Sequence, residues 1–369
     1  MTRARALGLP LPGVPGPYNA ITDVPGVAVG YTTLVAGDGP LRVGEGPVRT
    51  GVTALLPRGR AGLADACAAG LYSLNGNGEM TGSHWIAEIG ALTSPVLITN
   101  THAVGPCHQG AITWSRRERP GRDEWALPVV AETWDGYLND IDGGHVRPEH
   151  AVAALDAAAS GPVAEGSVGG GTGMNCYGFK GGSGTASRVV EYAGDSYTVG
   201  VFVQANFGSR RELTVCGVPV GRDMADDDPM SDPGWLAPSG AGSVIVVVGT
   251  DAPLLPGQCT ALARRVPLGL ARTGTIGHHS SGDIFLAFST ANAGALTSGF
   301  PEGEAGYETL RFLPWNRVDP LYEAVVQGVE EAVLNALLAA DTMVGRDGHR
   351  SPGLPHDRLK ALLAARGAV

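Results

Sequence analysis

Charged and aromatic residues are scarce in this sequence, and cysteines are few. Across 369 residues, aromatic side chains make up 6% and charged side chains 17%, a low charged share for a globular chain. The five cysteines include no CxxC pair, so the sequence predicts neither a disulfide framework nor a zinc site. No apolar run reaches the roughly 18 residues of a membrane-spanning helix, and the first residues lack the apolar core of a signal peptide. We therefore expect a cytoplasmic protein with no membrane partner and no metal.

The charge balance and the glycine content limit the kind of partner and the kind of packing that the chain can have. A formal net charge of -10 argues against a nucleic-acid partner, because nucleic acids select basic surfaces. The 56 glycines, interspersed with Val and Ile runs, indicate closely packed layers joined by tight turns. The length allows one large core or two domains.

Apolar periodicity predicts strands and helices in alternation. Strands are predicted at residues 48–56, 94–101, 196–207, 244–248 and 284–288. A turn and then a short strand are predicted within residues 21–34, and a short strand that runs into a polar, aromatic loop is predicted within residues 127–139. Helices are predicted at residues 63–71, 79–91, 102–118, 148–159, 256–272, 317–341 and 355–366. This order is typical of a layered α/β chain with mixed sheets between helices.

The junction at Gly242-Ser243 is the most informative feature of the sequence. Residues 221–242 are acidic, rich in turn residues and without periodicity, which predicts an exposed, mobile segment. Residues 244–248 are all apolar and predict a strand buried on both faces. Chains that cut themselves to expose a nucleophile have such a Gly-Ser bond: the hydroxyl of Ser243 attacks the carbonyl of Gly242, and water then frees a serine whose α-amine, with a pKa of about 8, can act as a base. An ordinary turn from loop to strand has the same dipeptide.

Several familiar site patterns are incomplete. The glycine-rich block at 166–188 lacks the GK[ST] of a phosphate loop, so we expect no nucleotide cofactor and interpret its glycines as close backbone approach to a strand or to a substrate. No GxSxG is present, which argues against an α/β-hydrolase triad. Four histidines lack the spacing of metal ligands and are predicted to be hydrogen-bonded loop residues: His102, His108, His278 and His279.

Polar residues lie at the ends of two predicted strands. Ser281 and Asp283 are two residues apart at the start of a strand, so their side chains point the same way. A hydroxyl beside a carboxylate there could orient a nucleophile, or it could be a polar strand start. Asn206 ends an apolar strand, where an amide could donate to a developing oxyanion or simply begin a turn.

Glu132 precedes two aromatic residues, Trp134 and Tyr137. A carboxylate in aromatic surroundings is suited to holding an ammonium group. A solvated loop acid has the same sequence pattern.

Six segments, in this order, closely resemble the DmpA/BapA-type aminopeptidases. That group comprises the L-aminopeptidase/D-esterase and β-aminopeptidase branches of the self-processing serine peptidases. The segments are ITDVPGVAVGYTT (21–33), PVVAETWDGYLND (128–140), GGGTGMNCYGFKGGSGTASR (169–188), VFVQANFG (201–208), GSVIVVVGTDAPLLPGQ (242–258) and SSGDIFLAFSTAN (280–292). Their common order makes the resemblance specific over nearly the whole chain.

The resemblance implies a fold and a maturation step. The fold would be a four-layer αββα sandwich, similar to the N-terminal nucleophile hydrolases but with different connectivity, formed by residues 1–369 as a single domain. The chain would cut itself into residues 1–242 and 243–369 and assemble as a tetramer of cleaved heterodimers. It would use no cofactor.

The resemblance also implies the site residues. They are the nucleophile Ser243, the oxyanion donor Asn206, the active-site Tyr137, the second serine Ser281 with its acid Asp283, and Glu132, beside Trp134, for the substrate's amino group. The β-aminopeptidases of the group carry Glu where this chain has Asp283. Because Asp is one methylene shorter, the match to the β-specific branch weakens and a direct contact with Ser281 stays open.

We therefore expect a serine aminopeptidase, amidase or esterase that releases N-terminal residues from small peptides, amides or esters. Its preference among L-α, D-α and β-amino residues is open. One alternative is an acyltransferase on a related self-cleaving scaffold, although ornithine acetyltransferase-like proteins expose a threonine rather than a serine. Another is a non-catalytic binding relative.

Overall fold

The computed structural model describes residues 2–120, 126–231, 242–299 and 304–369. The strands are β1 (Ala28–Ala36), β2 (Val48–Leu56), β3 (Cys67–Gly76), β4 (Ala91–Leu92), β5 (Val96–Asn100), β6 (Val129–Thr133), β7 (Asn175–Cys176), β8 (Phe179–Lys180), β9 (Gly182–Tyr192), β10 (Asp195–Asn206), β11 (Ser243–Thr250), β12 (Gly282–Ser289), β13 (Met343–Val344) and β14 (Arg350–Ser351). The helices are α1 (Ser83–Ile89), α2 (Val104–Glu118), α3 (Pro148–Asp156), α4 (Val220–Asp223), α5 (Pro256–Ala263), α6 (Val266–Arg272), α7 (Asp319–Leu338) and α8 (His356–Ala365).

Strand β11 lies in the middle of the larger sheet, whose order among the described residues is β4-β3-β12-β11-β10-β9. It runs antiparallel to β10 and parallel to β12. All of its residues are buried, as its continuous apolar run predicts. A strand in this position has its backbone groups paired on both edges and its side chains covered on both faces.

The described elements form four layers. Strands β1, β2, β5 and β6 make a second mixed sheet, and an apolar core that includes Leu55, Ile98 and Phe202 fills the space between the two sheets. Helices α2 and α3 cover the outer face of the smaller sheet around Trp114. Helices α5, α6 and α7 cover the outer face of the larger sheet through residues such as Val329. The αββα sandwich expected from the sequence is therefore confirmed.

The helix predicted at 63–71 is wrong, because Cys67–Gly76 forms strand β3. Alanine favours helices, but its small side chain also lets a helix approach a sheet closely. Helix α5 packs on β3, and a Cβ added at Gly70 would lie 2.3 Å from the backbone nitrogen of Thr260. Tertiary packing thus overrides the local helix preference of this segment.

Two other predicted segments need correction. The helix predicted at 256–272 is two helices, α5 and α6, because Pro267 at the start of α6 cannot continue the helix before it. The first part of the segment predicted to be exposed and mobile is mostly exposed, but it contains α4, Met224 is buried, and Asp226 pairs with Arg358 at 2.7 Å. Residues 232–241 of that segment lie outside the described residues.

No described helix combines the length and the apolar content needed to cross a membrane.

Candidate active site

Strand register brings four of the predicted site residues together at one end of the central strands of the larger sheet. Ser243 is the first residue of β11 and is 2% exposed. It pairs with Asn206, the last residue of antiparallel β10, and with Gly282, the first residue of parallel β12. Ser281 and Asp283 flank Gly282 in sequence. Asn206 and Gly282 are 37 and 39 positions from Ser243 in the chain, yet each is its direct neighbour on an adjacent strand.

The peptide bond before Ser243 has an N–H donor on its carbonyl oxygen. The backbone N–H of Gly282 donates to the carbonyl oxygen of Gly242 at 3.2 Å. A Cβ added at Gly242 would lie 2.0 Å from the backbone oxygen of Asn206, so only glycine fits here. A hydrogen bond of this kind stabilises negative charge on the oxygen when a nucleophile adds to the carbonyl.

Ser281 and Asp283 are in direct contact. The Oγ of Ser281 donates to Oδ1 of Asp283 at 2.5 Å, which answers the question left open by the shorter aspartate side chain. Asn75 Nδ2 donates to Oδ2 at 3.1 Å, and the backbone N–H of Val244 also hydrogen-bonds the carboxylate. Burial raises the pKa of Asp283, and these hydrogen bonds oppose the rise. The carboxylate is therefore fixed beside the first residues of β11.

Asn75 is a site residue that sequence reasoning missed. It pairs with Asp283 across β3 and β12, next to a shift in strand register after Asp283. From the sequence alone, Asn75-Gly76-Asn77-Gly78 is typical of a stop after the helix predicted at 63–71. Two asparagines beside glycines also fit a turn that carries amide donors to a site, which is the role that Asn75 has here.

The side-chain amide of Asn206 has a fixed orientation. Its Oδ1 accepts from the backbone N–H of Asn175 at 2.8 Å, and its Nδ2 donates to the carbonyl of Trp134 at 2.9 Å. Because a backbone N–H can only donate, the oxygen must face Asn175 and the nitrogen must face the opposite way. The amide nitrogen carries a second hydrogen that can serve an oxyanion.

Glu132 lies on a strand, not in a solvated loop. It belongs to β6 and is 3% exposed. One carboxylate oxygen accepts from the backbone N–H of Glu79 at 2.9 Å, and the other accepts from the hydroxyl of Thr101. Burial raises the pKa of Glu132. Among the described residues, no Lys or Arg side chain forms an ion pair with it, so no cation of the protein occupies the position that a cationic ligand would take.

Gly78 lies between Glu132 and the start of β12, next to Ser243. A Cβ added at Gly78 would be 3.1 Å from Cα of Gly282 and 3.2 Å from Oε1 of Glu132. A side chain here would fill the space between the carboxylate and the start of β12. The glycine therefore keeps Glu132 close to the paired residues Ser243 and Gly282.

Trp134 and Tyr137 follow β6 on the same loop. The carbonyl of Trp134 accepts the amide hydrogen of Asn206. Tyr137 is buried, its ring stacks on His349 with centroids 4.7 Å apart, and its hydroxyl donates to the carbonyl of Arg350 at 3.4 Å. Tyr137 thus joins the loop after β6 to the β13–β14 hairpin.

Two of the four histidines and the glycine-rich block have structural contacts, while His108 lies in helix α2 and not in a loop as predicted. His278 Nε2 lies 2.8 Å from a carboxylate oxygen of Glu212, and His102 pairs with Asp142 at 2.9 Å. Across the described ranges, no cluster of three His, Cys, Asp or Glu residues could hold a metal ion. A Cβ at Gly170 would lie 2.5 Å from the carbonyl oxygen of Ile98, so the block approaches neighbouring strands closely.

Comparison with known sequences decides the family. The sequence model of "Peptidase family S58" matches residues 19–351. The chain belongs to peptidase family S58. Beta-peptidyl aminopeptidase BapA of Sphingosinicella microcystinivorans is 50% identical over 371 aligned positions, which cover 98% of this chain and 91% of that protein. The BapA of Sphingosinicella xenopeptidilytica is 44% identical over 99% of this chain and 91% of its own length.

Solved structures agree with the family assignment. The L-aminopeptidase D-Ala-esterase/amidase of Ochrobactrum anthropi, described as a new variant of the Ntn hydrolase fold, matches with a TM-score of 0.92 and 47% identity, over 100% of this chain and 99% of that one. A β-aminopeptidase from Burkholderia sp. matches with a TM-score of 0.90 and 46% identity, over 99% of both chains. The S58 protein is therefore a serine aminopeptidase or amidase, as expected. The acyltransferase and binding-protein alternatives are not favoured.

Proposed function

We propose that this S58 protein cuts itself between Gly242 and Ser243 and then uses Ser243 to release N-terminal residues from small peptides, amides or esters. The observation that carries the proposal is the strand register at one end of the central strands of the larger sheet. It places the serine between Asn206 and Gly282, with the Gly242 carbonyl already hydrogen-bonded to the Gly282 N–H.

Self-cleavage would begin with attack of the Ser243 hydroxyl on the carbonyl carbon of Gly242. An O–C bond forms, negative charge develops on the carbonyl oxygen, and the Gly282 N–H stabilises it. The C–N bond then breaks and the nitrogen takes a proton, which leaves an ester. Water hydrolyses the ester to give a Gly242 carboxylate and Ser243 as a new N-terminus.

The base for self-cleavage cannot be the α-amine of Ser243, because the uncut chain has no free amine there. The hydrogen-bonded pair of Ser281 and Asp283 is the candidate, since its carboxylate can take a proton through the serine hydroxyl. In the cleaved enzyme the α-amine of Ser243 is a second candidate. The sequence leaves both candidates open, and a variant of Asp283 separates them.

In peptide hydrolysis the substrate's N-terminal residue would become an ester of Ser243. The carboxylate of Glu132 binds the substrate ammonium, and the second amide hydrogen of Asn206 stabilises the oxyanion. One such oxyanion donor contributes about 3 kcal/mol to the lowering of the barrier. The leaving amine takes a proton, and water hydrolyses the ester.

Mass analysis of the wild-type protein tests the proposal. We expect two chains, the smaller one beginning Ser243-Val244-Ile245, and hydrolysis of L-α, D-α or β-amino acid p-nitroanilides with a free amine but not of their N-acetylated forms. The rank order within this panel gives the substrate preference. A single intact chain without peptidase or esterase activity would refute both the cut and the role of Ser243.

Replacing Glu132 with glutamine should weaken substrate binding. Charge-assisted hydrogen bonds contribute about 1.5–3 kcal/mol, so we expect KM for free-amine substrates to rise roughly 10- to 100-fold, with self-cleavage unchanged because it involves no substrate ammonium. Burial raises the pKa of Glu132, so in the wild type kcat/KM should fall as the pH drops through a value above the usual glutamate pKa of about 4.3. The glutamine variant should lack this acidic limb.

The exposed Glu79 provides the matched control, because its side chain is a neighbouring carboxylate while only its backbone contacts Glu132. Glu79→Gln should keep KM within about twofold of the wild-type value, as surface substitutions usually have small effects. An unchanged KM in Glu132→Gln would remove the ammonium-binding role.

Assembly and location belong to the same proposal. We propose a tetramer of cleaved heterodimers in the cytoplasm, on the resemblance to the aminopeptidase group and on cysteine positions that form no disulfide framework. Native mass spectrometry measures the assembly directly.

A further inference from the structure

Lys180 is a buried cation that the mechanism above does not use. It lies in β8 and is 0% exposed. Its ammonium donates to the carbonyl oxygens of Met174 at 2.8 Å, Gly181 at 2.9 Å and Gly171 at 3.4 Å. Three N–H hydrogens for three carbonyls is the full donor capacity of a charged lysine. Among the described residues, no carboxylate forms an ion pair with it.

Burying a charge without an ion-pair partner is unfavourable, so this lysine must be held by its carbonyl contacts. Burial lowers the pKa of Lys180 to about 7, against the opposing charge of Asp135. An apolar side chain of similar length at this position would leave these carbonyl oxygens without the hydrogen bonds of the lysine. The contacts therefore point to a task for the ammonium group itself.

One of these contacts leads directly to the candidate oxyanion donor. The carbonyl of Met174 and the N–H of Asn175 belong to the same peptide unit, which is rigid and planar. Lys180 holds the oxygen end of this unit, and the N–H end donates to Oδ1 of Asn206 at 2.8 Å. The N–H of Gly181 also donates to the Met174 carbonyl, at 2.9 Å.

We propose that Lys180 is a positioning residue for Asn206, acting through the Met174–Asn175 peptide unit. With the oxygen end of that unit held, the N–H is aimed at the amide oxygen of Asn206, and the amide nitrogen faces the substrate's oxyanion. A cation on the carbonyl also polarises the peptide unit and strengthens its N–H as a donor. This inference rests on the proposed function, since it assigns a support to the oxyanion donor of that reaction.

The test compares Lys180→Met with Arg188→Met, the same change at another buried cation. Arg188 pairs with Glu331 at 2.7 Å and contacts no candidate site residue in the described structure. Both variants should lower the melting temperature. Measured per mole of cleaved protein, only Lys180→Met should lower kcat, by about 10- to 100-fold with KM within twofold. The oxyanion exists only in the transition state, so a weakened donor affects kcat rather than KM.

A double-mutant cycle separates positioning from general damage. In an Asn206→Ala background, Lys180→Met should change kcat by less than about twofold, because the residue it positions is gone. A loss of the same factor in both backgrounds would overturn the proposal, as would an unchanged kcat in the single variant.

If Lys180→Met stays uncut, its crystal structure decides the question beside that of uncut Ser243→Ala. The proposal requires a changed Asn206 amide or a broken Asn175–Asn206 hydrogen bond, and an unchanged amide refutes it. A wild-type protein that is neither cut nor active would instead refute the proposed function, so the two failures are distinguishable.

Discussion

A Ser243→Ala protein should remain one uncut chain of 369 residues with no measurable aminopeptidase activity. Alanine keeps the Cβ and the strand geometry of this buried position but removes the oxygen that attacks both Gly242 and the substrate. Loss of a serine nucleophile lowers kcat by about 10⁶-fold in a well-studied serine protease, and here the free α-amine would also never form. Intact mass and a p-nitroanilide assay on the same preparation measure both effects.

Ser289→Ala is the matched control for this prediction. Ser289 is the last residue of β12, is buried, and donates to the carbonyl of Ala252 at 2.6 Å at the other end of the same sheet. We expect that variant to lose about 1 kcal/mol of unfolding free energy and to be cut and active. Cleavage of the Ser243→Ala chain at the same bond would assign the attack to another group.

Replacing Asp283 with asparagine should slow self-cleavage by about 10³- to 10⁴-fold, near the upper range for removal of a general base. Asparagine has the same size and can still hydrogen-bond, but it cannot take the proton that the Ser281 hydroxyl passes on. Burial raises the pKa of Asp283, so self-cleavage in the wild type should slow as the pH falls through a value above the usual aspartate pKa of about 3.9. Time courses of the two chains by mass spectrometry, at several pH values, measure this.

Two outcomes of this experiment distinguish the candidate bases. Slow self-cleavage together with slow hydrolysis per cleaved molecule assigns both steps to the Ser281–Asp283 pair. Slow self-cleavage with normal hydrolysis per cleaved molecule assigns the second step to the α-amine of Ser243. Asp283→Glu is the conservative control and should stay within about tenfold of the wild-type rates, because it keeps a carboxylate. An uncompromised Asp283→Asn variant would exclude the pair from catalysis.

The sequence predicts most strands of the two sheets, although not β4 or β9, because burial shapes strand composition. The Val-Ile run of β11 and the apolar alternation of β10 each give a strand, and β2 has the predicted bounds. The helix prediction for the alanine-rich segment that contains β3 was wrong because this segment forms a strand only through contacts with distant residues. It pairs with β12 and packs closely under α5. A local window contains no information about either.

In the candidate site, too, local sequence predicts some features, and others depend on contacts between distant residues. Ser281 and Asp283 are two residues apart, so their shared face follows from strand geometry, whereas their direct hydrogen bond is evident only in the folded chain. Asn75 and Lys180 were missed because each acts across a strand pair or a peptide unit that only the folded chain assembles. Glu132 was found by its aromatic neighbours, but its burial in β6 and its hydrogen bond to Thr101 were not evident from them.

The order of strands in the larger sheet has a consequence for the life of the molecule. Strands β11 and β12 would belong to the smaller product of the proposed cut, yet they lie between β3 and β10 of the larger one. The uncut chain folds as one molecule, whereas the cut pair, once unfolded, must find its partner by diffusion at a rate that depends on concentration. Maturation would therefore make unfolding practically irreversible, and the working lifetime of the enzyme would depend on how slowly it first opens.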